Sequence, residues 1–301
     1  MTLEIHPLHA DEGILFTGLT YNRYKHLVKY EKENRQGFYS IGAWINSTPA
    51  GLALCEQISP ERTELRSIFV LPENREQGVG TSLLANAENE AVKRGCRIFD
   101  ALFQDQGLDA EVMPRLLAGS GYSSPTFTAL ICRSLNQGKI LTAPFLKKSL
   151  LPPSCELFFW KDISNQERAF IKNKQKQTPW YPELLSPFSN EQEIEYLNSL
   201  GLRYRGEIAG WVITHRISAK TIRYTTSFVR EDLQQYGFAA PLLIEAIKIH
   251  LASPESATAT DASFIIPAQF SGMITFAKKR MLPYMEETAK LYHCSKELNV
   301  S

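Results

Sequence analysis

The stretch Leu65–Leu84, LRSIFVLPENREQGVGTSLL, restricts the chain to few folds. Ile68-Phe69-Val70 is a short apolar, β-favouring run. Pro72 to Gly80 is a turn holding two glycines, and from Val79 onward apolar residues recur at helical spacing (Val79, Leu83, Leu84, Ala87, Ala91). The pattern predicts a strand, a Gly-rich turn and a helix N-terminus. The first turn of such a helix carries amides without intrahelical partners, and its dipole makes that end positive. Gly78 and Gly80, lacking Cβ atoms, let an anion approach the backbone. These features point to an anion site, with phosphate the natural occupant.

The same arrangement recurs at an offset of 159 residues. Without a gap, Ala50-Gly51 falls on Ala209-Gly210, Phe69-Val70 on Phe228-Val229, and Arg75 on Gln234. Gly78 falls on Gly237, Gly80 on Ala239, and Leu83-Leu84 on Leu242-Leu243. One register held across two strands, two turns and a helix predicts two copies of one domain. The boundaries expected from composition are 1–140 and 154–301, with 141–153 as a Pro- and Lys-containing linker. A helix is expected over Asp11 to about Tyr30, and short strands at Glu156–Trp160 and Leu291–His293.

Composition narrows the function by exclusion. The chain has 301 residues and a net charge of +1, so no global field favours nucleic acid or an anionic membrane. No apolar run approaches the roughly 20 residues that span a bilayer, and the N-terminus lacks a secretory pattern. The five cysteines are scattered and never form a CxxC pair, as expected in a reducing, cytoplasmic setting. The six histidines show no HExxH-like spacing, so no metal is expected.

The pattern Val70-x-Pro72-x-x-Arg75-x-x-Gly78-x-Gly80-x-x-Leu83-Leu84 resembles the acyl-CoA-binding motif of the GNAT superfamily of CoA-dependent N-acyltransferases. Gln234-x-x-Gly237-x-Ala239 resembles a variant of the same motif. A dinucleotide fingerprint would want glycine where Leu83 stands. The resemblance implies an α/β (α+β) fold of two consecutive GNAT domains, each a mixed, mostly antiparallel twisted sheet flanked by helices. It implies acetyl-CoA as acyl-donor co-substrate. The pantetheine would pair with backbone at Phe69 and Val70, and the pyrophosphate would rest on amides of Gln77, Gly78, Val79, Gly80 and Thr81. Arg75 is a weaker phosphate contact. In the second copy the equivalent positions are Val229, Gln234, Gly237 and Ala239.

Acyl transfer to an amine needs a neutral amine, a stabilised oxyanion and protonation of the leaving thiolate. Glu64 lies where the resemblance places a general base. Its counterpart Arg223 cannot serve as one. The tyrosine that protonates the thiolate in many GNAT members is replaced by Leu117. The implied activity is acetyl transfer to a primary amine on a small molecule or peptide, by a monomer with internal pseudo-dimer symmetry or a homodimer, with the first domain favoured as catalytic. The competing expectation is a non-catalytic acyl-CoA sensor. Tyr21, Tyr24, Tyr30, Trp180 and Tyr181 would suit a flat or apolar acceptor, though core packing accounts for them equally.

Overall fold

The structure is a computed structural model and describes residues 2–9, 11–29, 37–107, 109–147, 151–253 and 258–299. The chain begins β1 (Leu3–Pro7), α1 (Lys25–Lys29), β2 (Phe38–Ile45), β3 (Thr48–Ser59) and β4 (Arg62–Val70). It continues through α2 (Val79–Lys93), β5 (Ile98–Gln104), α3 (Asp109–Gly119), β6 (Thr126–Ser134), β7 (Cys155–Phe159) and α4 (Asn165–Gln177). Then come β8 (Leu200–Tyr204), β9 (Glu207–Arg216), β10 (Thr221–Val229), α5 (Glu231–Gln234) and α6 (Ala239–Ala252). The last elements are β11 (Asp261–Pro267), α7 (Ser271–Arg280) and β12 (Glu287–Glu297).

Two compact units result, Met1–Thr128 with Lys290–Ser301, and Ala129–Ala289. In the first, strands run β1-β2-β3-β4-β5-β12; in the second, β7-β8-β9-β10-β11-β6. The β4–β5 and β10–β11 pairs are parallel and the other registers antiparallel. This is the expected mixed, mostly antiparallel sheet with helices, present twice. The stripe Val79, Leu83, Leu84, Ala87 and Ala91 is buried on α2 against Ala53, Leu65, Phe99 and Ala101.

The division differs from the one expected from composition. Leu291–Glu297 of β12 pair with Gln104–Ile98 in the first unit, and Ala129–Ser134 of β6 pair with Pro267–Ala262 in the second. The residues 141–147, expected as linker, form 3-10 turns whose Ala143 and Phe145 are buried, as is Ile140 before them. The final strand is also longer than expected, Glu287–Glu297. The helix expected over Asp11–Tyr30 is broken into 3-10 turns at Gly13–Leu19 and Asn22–Tyr24 and the short α1. Gly13 and Gly18 weaken a continuous helix, and Phe16, Leu19 and Val28 still reach the core beside Trp44, Leu52 and Leu54. Tyr30 lies outside the described residues. No described helix is long and apolar enough to cross a membrane.

α4 starts on a capping box in which Ser164 and Glu167 bond each other's backbone N–H (3.2 and 2.9 Å). Arg203 Nε also donates to Glu167 Oε1 at 2.7 Å. That bond, foremost, holds the Glu167 carboxyl down at about 2. A depressed carboxylate stabilises the fold above its unfolded value, and the gain disappears as pH falls toward the folded one. Glu167→Ala is therefore expected to cost about 1 kcal/mol near neutrality. Urea melts should show the deficit shrinking between pH 4.5 and about 2; a pH-independent deficit would exclude the charged pairing as its source.

Candidate functional site

In the first unit the β4–β5 ladder runs from Arg62↔Ile98 to Leu65↔Ala101 and ends there, although both strands continue. At that point Arg66 is bulged out of the β3–β4 register, which steps from Leu54↔Ser67 to Cys55↔Leu65. A bulge bends its strand, and Ser67–Val70 have no partner on β5; on that edge the Val70 carbonyl is taken by the Arg75 side chain. The second unit repeats this. β10 pairs with β11 only over Thr221–Tyr224, and Thr225 is the bulged residue. Arg66 and Thr225 stand at the same 159-residue offset.

Two contacts of the loop after the strand also recur. Leu71 N–H donates to Ala50 O (2.9 Å), as Arg230 N–H does to Ala209 O (2.8 Å). Arg75 Nε donates to Val70 O at 3.0 Å, and Gln234 Nε2 to Val229 O at 2.7 Å. Arg75 also lies over the Phe69 ring, 5.6 Å from its centroid. The side chain at this position thus braces the loop against the strand end in both copies. Gln77 Nε2 bonds Glu73 O at 3.1 Å. Gly78 and Gly237 both take left-handed φ, +79° and +74°, a conformation that favours glycine. α2 begins at Val79, and Ser82 N–H donates to Gly78 O at 3.0 Å. The amides of Val79, Gly80 and Thr81 precede that first intrahelical bond and have no intrahelical partner.

Gly80 separates the copies. A Cβ there would meet only Val70 Cγ2 at 3.8 Å and Leu116 Cδ1 at 4.0 Å, ordinary contacts. Packing therefore does not require glycine, and Ala239 stands at the equivalent place in the second unit. What glycine adds at position 80 is room for a ligand against the backbone.

At the mouth of the first fork lies a charged group that sequence reasoning found only in part. Glu64 is joined to Arg66, whose Nε also donates to Glu56 Oε2 at 2.6 Å. Burial pushes the Glu64 carboxyl above its ordinary value, with Arg66 opposing. Beside Glu64 in the ladder is Asp100, only 3% exposed. Arg62 donates to both its oxygens (3.0 and 2.8 Å), and His293 Nε2 lies 2.8 Å from Oδ1. An aspartate inside the apolar run Ile98–Phe103 was the available signal for Asp100. His293 had none, because its strand joins this sheet from the far end of the sequence.

The position of the usual tyrosine is occupied by Leu117, 1% exposed in the core. The Tyr122 hydroxyl is buried, and desolvation, together with Glu88, raises it far above its normal range.

The second fork has different contents. Arg223 replaces Glu64. His215 is buried, with Nδ1 2.7 Å from Thr225 Oγ1 and Nε2 3.1 Å from Ser189 O. Trp180 and Tyr181 pack edge-on to Trp211 at 5.5 and 5.1 Å between centroids. Both also pack on Phe228, the partner of Phe69 in the repeat. These rings form core rather than a vacant acceptor surface. Tyr21, in contrast, is 53% exposed. Among the described residues, His6, His9 and Glu12 bring ligand-type atoms within 4.8 Å of one another. That group stands on β1 and the turn after it, with β2 and β3 between it and β4.

Residues 6–110 match the model of the acetyltransferase (GNAT) family. No curated protein sequence matches the chain. Among solved structures, a tandem GNAT protein from the clavulanic acid biosynthesis pathway, without acetyl-CoA, is similar with TM-score 0.68 and 12% identity, covering 100% of both chains. A GCN5-related N-acetyltransferase from Sphaerobacter thermophilus has TM-score 0.66 and 14% identity, covering 99% of this chain and 96% of its own. A fungal glucosamine N-acetyltransferase region within a multi-domain β-N-acetylglucosaminidase has TM-score 0.59 and 11% identity, over 98% of this chain and 38% of that one.

Proposed function

We propose that this chain, a tandem protein of the GNAT superfamily, transfers an acetyl or related acyl group from its CoA thioester to a primary amine, with the donor bound in the first unit. The observation that carries this reading is the fork between β4 and β5, opening beside a helix N-terminus whose Gly80 the fold itself does not require. In it, the pantetheine arm pairs with the edge of Ser67–Val70 that β5 leaves uncovered, apart from the Val70 carbonyl that Arg75 occupies. The pyrophosphate takes the amides of Gly78–Thr81, and the thioester reaches the charged group around Glu64 and Asp100. The family match at residues 6–110 falls on the same unit. The second unit is the degenerate copy, its fork bordered by packed aromatic rings and an arginine in place of Glu64. A carboxylate cluster at the fork suits a cationic amine as acceptor. Binding without turnover is the competing reading, motivated by Leu117 in the tyrosine position.

Calorimetric titration of acetyl-CoA into the chain and into Gly80→Asp and Ala239→Asp variants tests the reading. An aspartate in the first turn of a helix favours the fold but repels a pyrophosphate. Gly80→Asp is expected to weaken binding about 100-fold, since like-charge juxtaposition costs several kcal/mol. Ala239→Asp should leave affinity unchanged. The reverse result moves the donor to the second unit, and no binding by the unaltered chain rejects the reading. Acetyl-CoA consumption across a panel of primary amines separates transferase from sensor.

A further inference from the structure

We propose that His293, held by Asp100, is the proton carrier of the transfer reaction in the first unit; this rests on the acyl-CoA reading above. Glu64, the carboxylate expected from sequence, is already engaged by Arg66, and Arg66 also holds Glu56. A base must offer a lone pair, and the Arg66 guanidinium competes for those of Glu64 Oε1. The His293 ring does offer one. Asp100 is an acceptor, so the 2.8 Å contact makes Nε2 the protonated nitrogen and leaves Nδ1 as the basic one. Asp100 itself accepts two bonds from Arg62, so the ring is oriented by a buried, doubly bonded carboxylate.

The placement fits the reaction. Asp100 precedes Ala101, the last β5 residue in the β4 ladder, and His293 faces Leu102, the next residue on β5. The ring is therefore beside the point where the strands part and where the thioester end of the donor would lie. Its side chain is 31% exposed, against 4% for Asp100. The charged groups linked to it are Asp100 on β5, Arg62 through Asp100, and Glu64 on β4.

For an acceptor that has first released its ammonium proton to solvent, the proton balance closes with this one ring. The amine lone pair forms the C–N bond and the amine proton passes to Nδ1. The C–S bond breaks with its electron pair on sulfur, and the Nδ1 proton then passes to that sulfur. The ring ends with the protons it began with, so the tyrosine missing at Leu117 is not needed as a separate acid. Asp100 is a positioning residue that selects the tautomer.

The test uses bromoacetyl-CoA on the full chain, since its electrophilic carbon sits next to the thioester carbonyl. Nδ1 would form the N–C bond as bromide leaves. Peptide mapping should find one adduct, on His293, suppressed by excess CoA and absent in His293→Asn. Calorimetry should show that His293→Asn still binds CoA. Asp100→Asn should slow labelling about tenfold through lost orientation, and ¹⁵N shifts of the ring should lose the Nε2–H tautomer. If CoA does not bind, the donor reading falls and this inference with it. If CoA binds and the adduct forms on Glu64 or a cysteine, or nowhere, the donor reading stands and the role of His293 is overturned.

Discussion

Deleting Lys290–Ser301 is expected to abolish acetyl-CoA binding, although the phosphate loop lies some two hundred residues earlier in the chain. The deleted segment supplies the strand that covers β5, through the register Leu291↔Gln104 to Glu297↔Ile98. With it go buried Cys294, the stacking of Tyr292 on Phe103 at 5.7 Å, and the bond from Thr128 Oγ1 to Leu291 O at 3.1 Å. The hydrogen bond between His293 and Asp100 and the ion pair of Lys296 with Glu88 are lost as well. Losing a whole paired strand removes several kcal/mol from a domain whose total stability is only about 5–15 kcal/mol. The exposed β5 edge becomes an unpaired ladder. The second unit, Ala129–Ala289, keeps all its strands. Hydrogen exchange should therefore show protection lost across β2–β5 and α2 and retained across β8–β11. If the shortened chain keeps β5 protected and still binds acetyl-CoA, the exchanged strand is not integral to the first unit.

How much of this the sequence disclosed follows from which interactions are local. The strand, glycine turn and helix around Gly78 were legible because spacing, turn residues and apolar period all lie within one window. The duplication was legible because one register carries both loops, and it extends further than expected: Ile41–Ile45 of β2 maps at the same offset onto Leu200–Tyr204, the strand β8. The unit boundaries were not legible. Pairing of β12 with β5 joins residues far apart in sequence and leaves no local mark in either segment. For the same reason the charged group at the fork was half seen. Glu64 belongs to the motif's own strand, whereas His293 reaches it only through that pairing. Trp180 and Tyr181 illustrate a different limit. Their composition suited a binding surface as well as a core, and only Trp211 and Phe228 beside them decide for the core.

The same strand is anchored on its other face by an ion pair, and breaking it should cost the first unit stability. Lys296 Nζ lies 2.5 Å from Glu88 Oε2 on α2, with the two side chains 27% and 10% exposed. Lys296 Nζ also stands 5.7 Å from the Tyr122 ring centroid. Removing one partner leaves the other charge desolvated, which costs about 3–5 kcal/mol for a fully buried pair. The partial exposure of Lys296 lets its charge find water, so Glu88→Gln is expected to cost about 2 kcal/mol. Lys296→Met strands the less exposed carboxylate and should cost about 3 kcal/mol. The double variant Glu88→Leu with Lys296→Met should recover most of that loss, because an apolar pair has no desolvation penalty to offset. Denaturant melts of the two singles and the double give the coupling directly. Single losses below about 0.5 kcal/mol would place the pair with ordinary surface ion pairs. The anchoring of β12 would then rest on the β5 ladder and Cys294 alone. A double variant as unstable as the worse single would instead mean that the charges themselves, and not the packing of α2 on β12, hold the exchanged strand in place.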